Sequence, residues 1–231
     1  MIKPISVIFD LDDTLYAEKD FAHSGFAAAA AFAADTWGCD AFAMASEMRE
    51  LLASGHLGAL FKLTLEKHLE NADADDLSRF VDVYRSHKPT LTLFTDAEAA
   101  LAEVARFGPM GLITDGTHWV QKNKVEALGI EDRFAHVIYT NALGGREFHK
   151  PHPRAFELME EALELEPAQL VYVGDNAAKD FVQPNARGWH SVQILRPDRI
   201  HAGAKPHEDG EAQHVLTSLT ELAALVTELD R

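Results

Sequence analysis

The chain has 231 residues and a formal net charge of −16 at pH 7, an acidic balance that argues against nucleic acid as a partner. Hydrophobic residues make up 47% and charged residues 25% of the chain, the proportions of an ordinary globular protein. This length fits one large domain, or a core with a smaller second domain. An acidic protein can still bind a phosphate where its site supplies local positive charge.

Cysteine content and hydropathy indicate the cellular compartment. The single cysteine, Cys39, excludes an internal disulfide framework and suits a reducing environment. The amino terminus, Met1-Ile2-Lys3-Pro4, lacks the long apolar stretch of a signal peptide. No segment of the sequence approaches membrane-spanning length. We therefore expect a cytoplasmic protein with no membrane partner.

The first predicted element is a short buried strand at residues 7–9, Val-Ile-Phe, which is too short and too rich in β-branched and aromatic residues for a helix. Asp10, Asp12 and Asp13 follow it, at the strand end where open α/β sheets place their ligands. These carboxylates repel one another, and a hard cation such as Mg²⁺, which takes oxygen ligands, would neutralise them. An acidic turn after a strand is the alternative that these residues alone leave open.

A helical stretch interrupts the chain from about residue 16 to residue 88. Helical spacing of apolar residues is present at residues 21–34, 42–52, 57–69 and 77–84, with a polar turn at 71–76. The first of these segments is rich in alanine, a strong helix former. The pattern predicts a small helical bundle inserted between the first and second strands, with both of its junctions close to the acidic cluster.

Strands and helices alternate in the rest of the chain. Strands are predicted at residues 110–113, 134–139, 170–173 and 191–195, and helices at 97–106, 120–128, 154–165 and 218–229. Possible capping boxes pair Thr95 with Glu98 and Ser218 with Glu221. The polar residues 197–214 are interpreted as a surface excursion. Alternation of this kind predicts a parallel sheet covered by helices on both faces.

Two motifs in this region suit a phosphate group. Thr114, Asp115 and Gly116 end the second strand and offer a hydroxyl and free backbone N–H groups, although a plain turn has the same composition. Lys150 lies just before a helix start, where its ammonium and the helix dipole could together neutralise phosphate charge. An ordinary surface lysine is the alternative interpretation for that position.

A third motif ends the fourth strand. Gly174, Asp175 and Asn176 follow an apolar run, and Asp180 comes five residues after Asp175. Taken alone, these residues would again be interpreted as a turn. Their value lies in their order along the chain, because each motif follows a strand or precedes a helix of the same predicted sheet.

The ordered motifs resemble those of the haloacid dehalogenase (HAD) superfamily: a strand with Asp-x-Asp, a strand ending in Thr, a Lys before a helix, and a strand with Gly-Asp and a later Asp. The resemblance covers essentially the whole chain. It implies a Rossmann-like parallel α/β sheet with strand order 5-4-1-2-3. It also implies that residues 16–88 form a helical C1-type cap inserted into a core of residues 1–15 and 89–231.

The same resemblance implies a Mg²⁺-dependent phosphatase acting on a small phosphorylated metabolite. Asp10 would be the nucleophile that forms an aspartyl-phosphate, and Asp12 the general acid and later the base, its pKa raised by neighbouring carboxylates. The implied Mg²⁺ ligands are Asp10, the backbone carbonyl of Asp12, and Asp175. The implied phosphoryl contacts are Thr114, Lys150 and the N–H groups of Asp115 and Gly116, with Asp180 and Asn176 in support.

Other roles stay open at this point. Dehalogenases of the family lack the second aspartate and need no metal, so Asp12 and Asp175 argue against dehalogenation. A phosphomutase of the same family and a non-catalytic binding or interaction protein remain alternatives, and the protein is expected to be a monomer or a homodimer. The candidate substrate contacts at the junctions with the cap are Tyr16, Glu18, Arg85 and His87.

Overall fold

The structure of the protein, a computed structural model, describes residues 4–229. Residues 1–3, part of the amino terminus on which the signal-peptide expectation rests, and residues 230–231 of the predicted core lie outside the described residues. In chain order the elements are β1 (Ser6–Phe9), α1 (Glu18–Trp37), α2 (Ala41–Ala53), α3 (Leu60–His68), α4 (Ala74–Ser86), α5 (Thr95–Val104), β2 (Gly111–Thr114), α6 (His118–Leu128), β3 (His136–Tyr139), α7 (Arg154–Leu163), β4 (Leu170–Gly174), α8 (Val182–Arg187), β5 (His190–Ile194), β6 (His214–Leu216) and α9 (Leu222–Leu229), with short 3₁₀ turns between some of them.

The strands form a parallel sheet in the order β3-β2-β1-β4-β5-β6 among the described residues. The strand β1 lies at the centre between β2 and β4, and its residues are buried on both faces of the sheet. That position explains its unbroken apolar sequence, because a central parallel strand has no solvated face. The predicted α/β class, with a Rossmann-like parallel sheet, is confirmed.

The prediction missed β6, which begins at His214, the last residue of the stretch interpreted as a surface excursion. This strand has only three residues and pairs with β5 at the edge of the sheet. Its central residue, Val215, is 54% exposed, so the strand lacks the apolar pattern by which buried strands are recognised.

Both predicted capping boxes of the core are wrong. Helix α5 begins at Thr95 itself, and Phe94 precedes it without a side-chain cap. The hydroxyl of Ser218 accepts a hydrogen bond from the backbone N–H of Thr220 at 3.3 Å and caps a 3₁₀ turn, without forming a box with Glu221. Cap positions depend on the first residue of a helix, and periodicity locates that residue only to within a few positions.

The chain divides into two compact units. One unit contains the described residues up to Glu18 and those from Leu91 onward, and the other is Lys19–Thr90. In the first unit, the aromatic rings of Phe156 on α7 and Trp189 before β5 pack edge to face, 5.7 Å apart. The Trp189 indole N–H donates to Glu160 on α7 at 2.7 Å. Both contacts hold helix α7 against the sheet.

The second unit is a helical bundle built from α1 to α4. Its core includes Phe26, Met44 and Phe80, packed against the buried alanine face of α1. The stretch predicted as a polar turn at residues 71–76 is shorter than expected, because Asp73 and Asp76 form a capping box that starts α4 at Ala74. Within residues 4–229, no helix combines the length and the hydropathy that crossing a bilayer would require.

Candidate active site

A cavity of about 530 Å³ in the first unit lies at the carboxyl ends of the parallel strands. Its lining residues are Asp10, Asp12, Glu18, Asp115, Gly116, Arg146, His149, Lys150, Asp175, Asn176, Lys179 and His201. The motifs singled out in the sequence therefore meet at one place. Thr114 and Asp180, also singled out, are fully buried and are not part of the lining.

The Lys150 ammonium is the centre of a buried network. Its Nζ donates to Asp10 Oδ1 at 2.6 Å and to the Tyr172 hydroxyl at 2.8 Å, and it lies 2.8 Å from Asp180 Oδ1. Burial alone would lower the lysine pKa, but Asp10 and Asp180 outweigh that effect and raise it. Lys150 is therefore a permanently charged group fixed beside the Asp10 carboxylate.

Asp10 follows β1 and is held firmly by its backbone and its side chain. Its N–H donates to the carbonyl of Val173 on β4 at 2.8 Å, which fixes the start of the acidic loop. Burial raises the pKa of the Asp10 carboxyl to about 6, against the opposing charge of Lys150. Asp10 is only 3% exposed. Its carboxylate is still ionised at neutral pH, but without a further cation the buried charge is energetically unfavourable.

The chemistry of a neighbouring set of oxygens suits such a cation. Carboxylate oxygens of Asp10, Asp175 and Asp180 lie within 4.8 Å of one another, and all three residues are buried. The Asp175 Oδ2 atom is buried and has no hydrogen-bond partner among the described residues. Burial and the charges of Asp180 and Asp10 raise the pKa of Asp175 to about 9. A hard divalent cation would reduce the repulsion between these carboxylates and would provide a ligand contact for the Asp175 Oδ2 atom.

Asp12 has surroundings that the sequence did not predict. Lys124 Nζ lies 2.7 Å from its Oδ1, Gln121 Nε2 donates to its Oδ2 at 2.8 Å, and the Tyr16 hydroxyl donates to Oδ1 as well. Burial opposes the charge of this carboxyl, but Lys124 and the two hydrogen bonds outweigh burial and lower its pKa. The expectation that neighbouring carboxylates raise the pKa of Asp12 is wrong for the free protein.

Thr114 and Asp115 are both held by hydrogen bonds within the site. Gln121 Nε2 donates to the Thr114 hydroxyl oxygen at 2.6 Å, which leaves the hydroxyl hydrogen free to donate elsewhere. The Asp115 carboxylate accepts from the Lys150 N–H at 3.0 Å and pairs with Lys179 Nζ at 3.0 Å. Despite burial, Lys150 and Lys179 lower the Asp115 pKa to about 2. Asp115 thus positions both lysines.

The position of the Asp180 carboxylate requires a glycine at residue 174, the last residue of β4. Its Oδ2 accepts from the Asn176 N–H at 2.9 Å, while its Oδ1 faces Lys150. A Cβ at position 174 would lie 2.6 Å from Asp180 Oδ2, so Gly174 makes room for this carboxylate. The Gly-Asp pair at the end of β4 therefore has a packing reason that is separate from the role of Asp175.

Two family models match this chain. The model described as haloacid dehalogenase-like hydrolase matches residues 6–181, and the one described as HAD-hydrolase-like matches residues 147–222. The first match alone spans more than half of the sequence. The chain belongs to the haloacid dehalogenase-like hydrolase family. Its family membership, predicted from the order of four motifs, is confirmed.

Relatives of this HAD-like hydrolase extend along its whole length. A ribulose-1,5-bisphosphate 5-phosphatase from Halopiger xanaduensis is 29% identical over 240 residues, covering 96% of this chain and 99% of the relative. A glyceraldehyde 3-phosphate phosphatase from Methanocaldococcus jannaschii is 28% identical over 241 residues, covering 100% of both. A Bacillus subtilis HAD-hydrolase solved bound to magnesium has a TM-score of 0.67 at 14% identity, covering 97% of this chain and 99% of that one, and shares the fold.

Several residues of the hydrolase site were not found from the sequence. They are Gln121, Lys124, Arg146, His149, Tyr172, Lys179 and His201. Gln121 and Lys124 do carry a signal, since they are three residues apart on the helix after the Thr114 strand and so share one helix face. Both are almost completely buried, which polar residues of an outward face would not be.

The predicted contacts at the cap junctions fall in different units of the hydrolase. Tyr16 and Glu18 belong to the first unit, where Tyr16 binds Asp12 and Glu18 lines the cavity. Arg85 and His87 belong to the second unit, where Arg85 is exposed and His87 Nε2 lies 2.7 Å from the Ser24 hydroxyl. Their contact with a substrate stays a prediction.

Proposed function

We propose that this hydrolase is a Mg²⁺-dependent phosphatase that cleaves a small phosphorylated metabolite through an aspartyl-phosphate on Asp10. The observation that carries the proposal is the buried Asp10 carboxylate, which faces the cavity 2.6 Å from a charged lysine. An Asp175 oxygen with no hydrogen-bond partner among the described residues lies nearby. The two full-length relatives are both phosphatases, which supports the same reaction class.

In the first half of the reaction, an oxygen of Asp10 attacks phosphorus and the bond to the leaving oxygen breaks. Lys150 and Lys179, both with raised pKa values, supply fixed positive charge toward the transferring group. The Thr114 hydroxyl hydrogen and the N–H groups of Asp115 and Gly116 are its proposed hydrogen-bond donors. Phosphoryl transfer depends mainly on such positioning and charge stabilisation.

Asp12 is proposed to protonate the leaving oxygen and then to take a proton from the attacking water. Its lowered pKa suits the second task directly, because the free protein already holds the carboxylate ionised. The first task requires Asp12 to gain a proton when the anionic substrate binds, since a nearby negative charge raises the pKa of a carboxyl. The water then attacks phosphorus, releases inorganic phosphate and restores Asp10.

The proposed Mg²⁺ ligands are the Asp10 carboxylate, the Asp12 backbone carbonyl and Asp175. The Asp12 side chain is engaged by Lys124 and Gln121, so a metal contact from this residue would come from its backbone. Bound Mg²⁺ would supply charge neutralisation between the anionic nucleophile and the anionic substrate. The raised pKa values of Asp10 and Asp175 fit this set, because a cation favours their ionised forms.

Removing the metal is expected to abolish phosphate release, and returning it to restore activity. With p-nitrophenyl phosphate as substrate, EDTA should stop the reaction and excess Mg²⁺ should recover it. Mg²⁺ should also raise the melting temperature of the metal-free protein, since it binds the folded state alone. An Asp175→Asn variant should lose most of that thermal shift. Full activity in chelator, or an equal shift in the variant, would contradict the metal assignment.

Gly174→Ala is expected to lower kcat about 10- to 100-fold, the usual cost of disturbing a residue that orients a catalytic group. The added methyl would displace Asp180 from Lys150, as the 2.6 Å approach shows. Gly203→Ala is the matched control, because open space surrounds position 203. Steady-state kinetics of both variants check this. Equal activity in the two would mean that Asp180 does not position Lys150.

A further inference from the structure

We propose that Arg146 binds a second anionic group of the substrate, so that the preferred substrate carries a carboxylate or a second phosphate besides the phosphate that is removed. This inference rests on the proposed phosphatase function and deepens it. It assigns a specificity-determining role to a residue that the motifs did not include.

The inference depends on which charged side chains of the cavity lining form ion pairs with one another. The ammonium of Lys150 is matched by Asp10 and Asp180, and that of Lys179 by Asp115 at 3.0 Å. Arg146 also lines the cavity and is exposed, and the ion pairs found among residues 4–229 do not include it. An arginine is always charged, so this lining includes a guanidinium that has no carboxylate partner among the described residues.

The other titratable groups of the lining do not provide a carboxylate partner for Arg146. Glu18 lies 3.9 Å from His201 Nε2 and forms no ion pair with Arg146 among the described residues. Burial lowers the pKa of both His149 and His201, so neither adds a positive charge. Arg146 can therefore form an ion pair with an anionic group of a bound ligand.

Arg146 lies in the same loop as Lys150, the charged group beside the Asp10 carboxylate. It begins a 3₁₀ turn, Arg146–Phe148, four residues before Lys150. The His149 N–H donates to the Arg146 carbonyl at 3.1 Å, and the Lys150 N–H donates to Asp115 at 3.0 Å. These two hydrogen bonds hold the backbone of the loop from Arg146 to Lys150, and both residues of this loop line the cavity.

The size of the cavity and the shape of the guanidinium indicate the class of ligand. A volume of about 530 Å³ falls in the range of small-molecule sites and holds a sugar phosphate with a further charged group. A guanidinium offers parallel N–H donors that match two oxygens of a carboxylate or a phosphate. The inferred substrates are therefore small bisphosphates and phosphorylated carboxylic acids.

Two matched substrate pairs test the inference. Ribulose 1,5-bisphosphate is compared with ribulose 5-phosphate, and 3-phosphoglycerate with glyceraldehyde 3-phosphate, so each pair differs by one anionic group. The enzymes are the wild type, Arg146→Gln, Arg146→Lys and the control Arg106→Gln. Arg106 is exposed and lies outside the cavity lining, and its side chain donates to the Glu103 carbonyl at 3.0 Å.

Arg146→Gln should lower kcat/KM for the doubly anionic member of at least one pair about 10- to 100-fold, mainly through KM, which corresponds to the loss of a charged hydrogen bond. Its effect on the singly phosphorylated member should stay below about threefold. Arg146→Lys should restore part of the loss, and Arg106→Gln should match the wild type. A response in the first pair alone identifies a phosphate as the bound group, and a response in the second alone identifies a carboxylate.

Equal effects of Arg146→Gln on both members of each pair, or no effect on either, would overturn the inference. A wild type that prefers the singly phosphorylated member of both pairs would overturn it as well. Failure of the underlying function has a different signature: the wild type would then release no phosphate from any of the four substrates or from p-nitrophenyl phosphate with Mg²⁺ present.

Discussion

Asp10→Asn is expected to abolish turnover and to prevent any phosphorylated form of the protein. The amide keeps the size of the side chain but cannot attack phosphorus, so the covalent route is closed. Loss of a catalytic nucleophile costs about 10⁶-fold in kcat in a well-studied hydrolase, and we expect an effect of that order. Phosphate release and intact-mass measurement after incubation with p-nitrophenyl phosphate would show both losses.

In metal-free buffer the same variant should lose a pH-dependent cost of folding that the wild type carries. Folding raises the Asp10 pKa from 3.8 to about 6, so the folded wild type loses stability as pH rises through that window. Asparagine carries no such cost. Thermal melts at pH 4 and pH 7 in EDTA should therefore show a difference between variant and wild type that favours the variant more at the higher pH.

Asp132→Asn serves as the control for both measurements, because Asp132 is an exposed residue in a 3₁₀ turn away from the cavity lining. It should keep wild-type activity and wild-type melting behaviour. Near-normal turnover in Asp10→Asn would overturn the whole mechanism, and a collapsed melting temperature would show that its lost activity reflects unfolding.

Asp12→Asn is expected to lower kcat about 10²- to 10⁴-fold, the usual contribution of general acid–base assistance, since both half-reactions depend on this carboxylate. The asparagine keeps the backbone carbonyl and the nearby Asp10 nucleophile. A substrate with a good leaving group, such as p-nitrophenyl phosphate, needs little protonation and should still phosphorylate Asp10 slowly. Water activation would then be the impaired step, so phosphorylated protein should accumulate.

Intact-mass spectra taken during turnover of p-nitrophenyl phosphate test that accumulation. The expected species is the variant with one added phosphoryl group, which Asp10→Asn and an Asp10→Asn/Asp12→Asn double variant should both lack. A metabolite with a poor leaving group should show a larger rate loss than p-nitrophenyl phosphate in Asp12→Asn. Near-normal turnover of both substrates would remove Asp12 from acid–base catalysis.

The fold class and the motifs around the cavity could be predicted from the sequence. Short apolar runs such as residues 7–9 can be recognised as strands, because a central parallel strand is buried on both faces. Acidic and hydroxyl residues directly after such runs, among them Asp10, Thr114 and Asp175, share one edge of the sheet by topology alone. These features depend on local patterns and on chain order, and both are present in a single sequence.

The pKa of Asp12 could not be predicted from the sequence, because it depends on tertiary contacts. Its partners Lys124 and Gln121 are more than a hundred residues away along the chain, on a helix that packs beside the acidic loop. The sequence suggested repulsion from neighbouring carboxylates and hence a raised pKa, whereas the folded chain supplies a nearer cation and hydrogen bonds that lower it. A pKa depends on distances of a few ångströms, and periodicity carries no such distances.

The unmatched charge of Arg146 was likewise decided by the tertiary structure. In the sequence it is one arginine in a polar loop, with Glu147 as its neighbour and no motif around it. In the fold it lines the same cavity as Lys150 while the carboxylates there are paired with other cations, carry raised pKa values or suit a metal. Whether a charge is compensated depends on every group around it, and those groups come from strands and loops far apart in the chain.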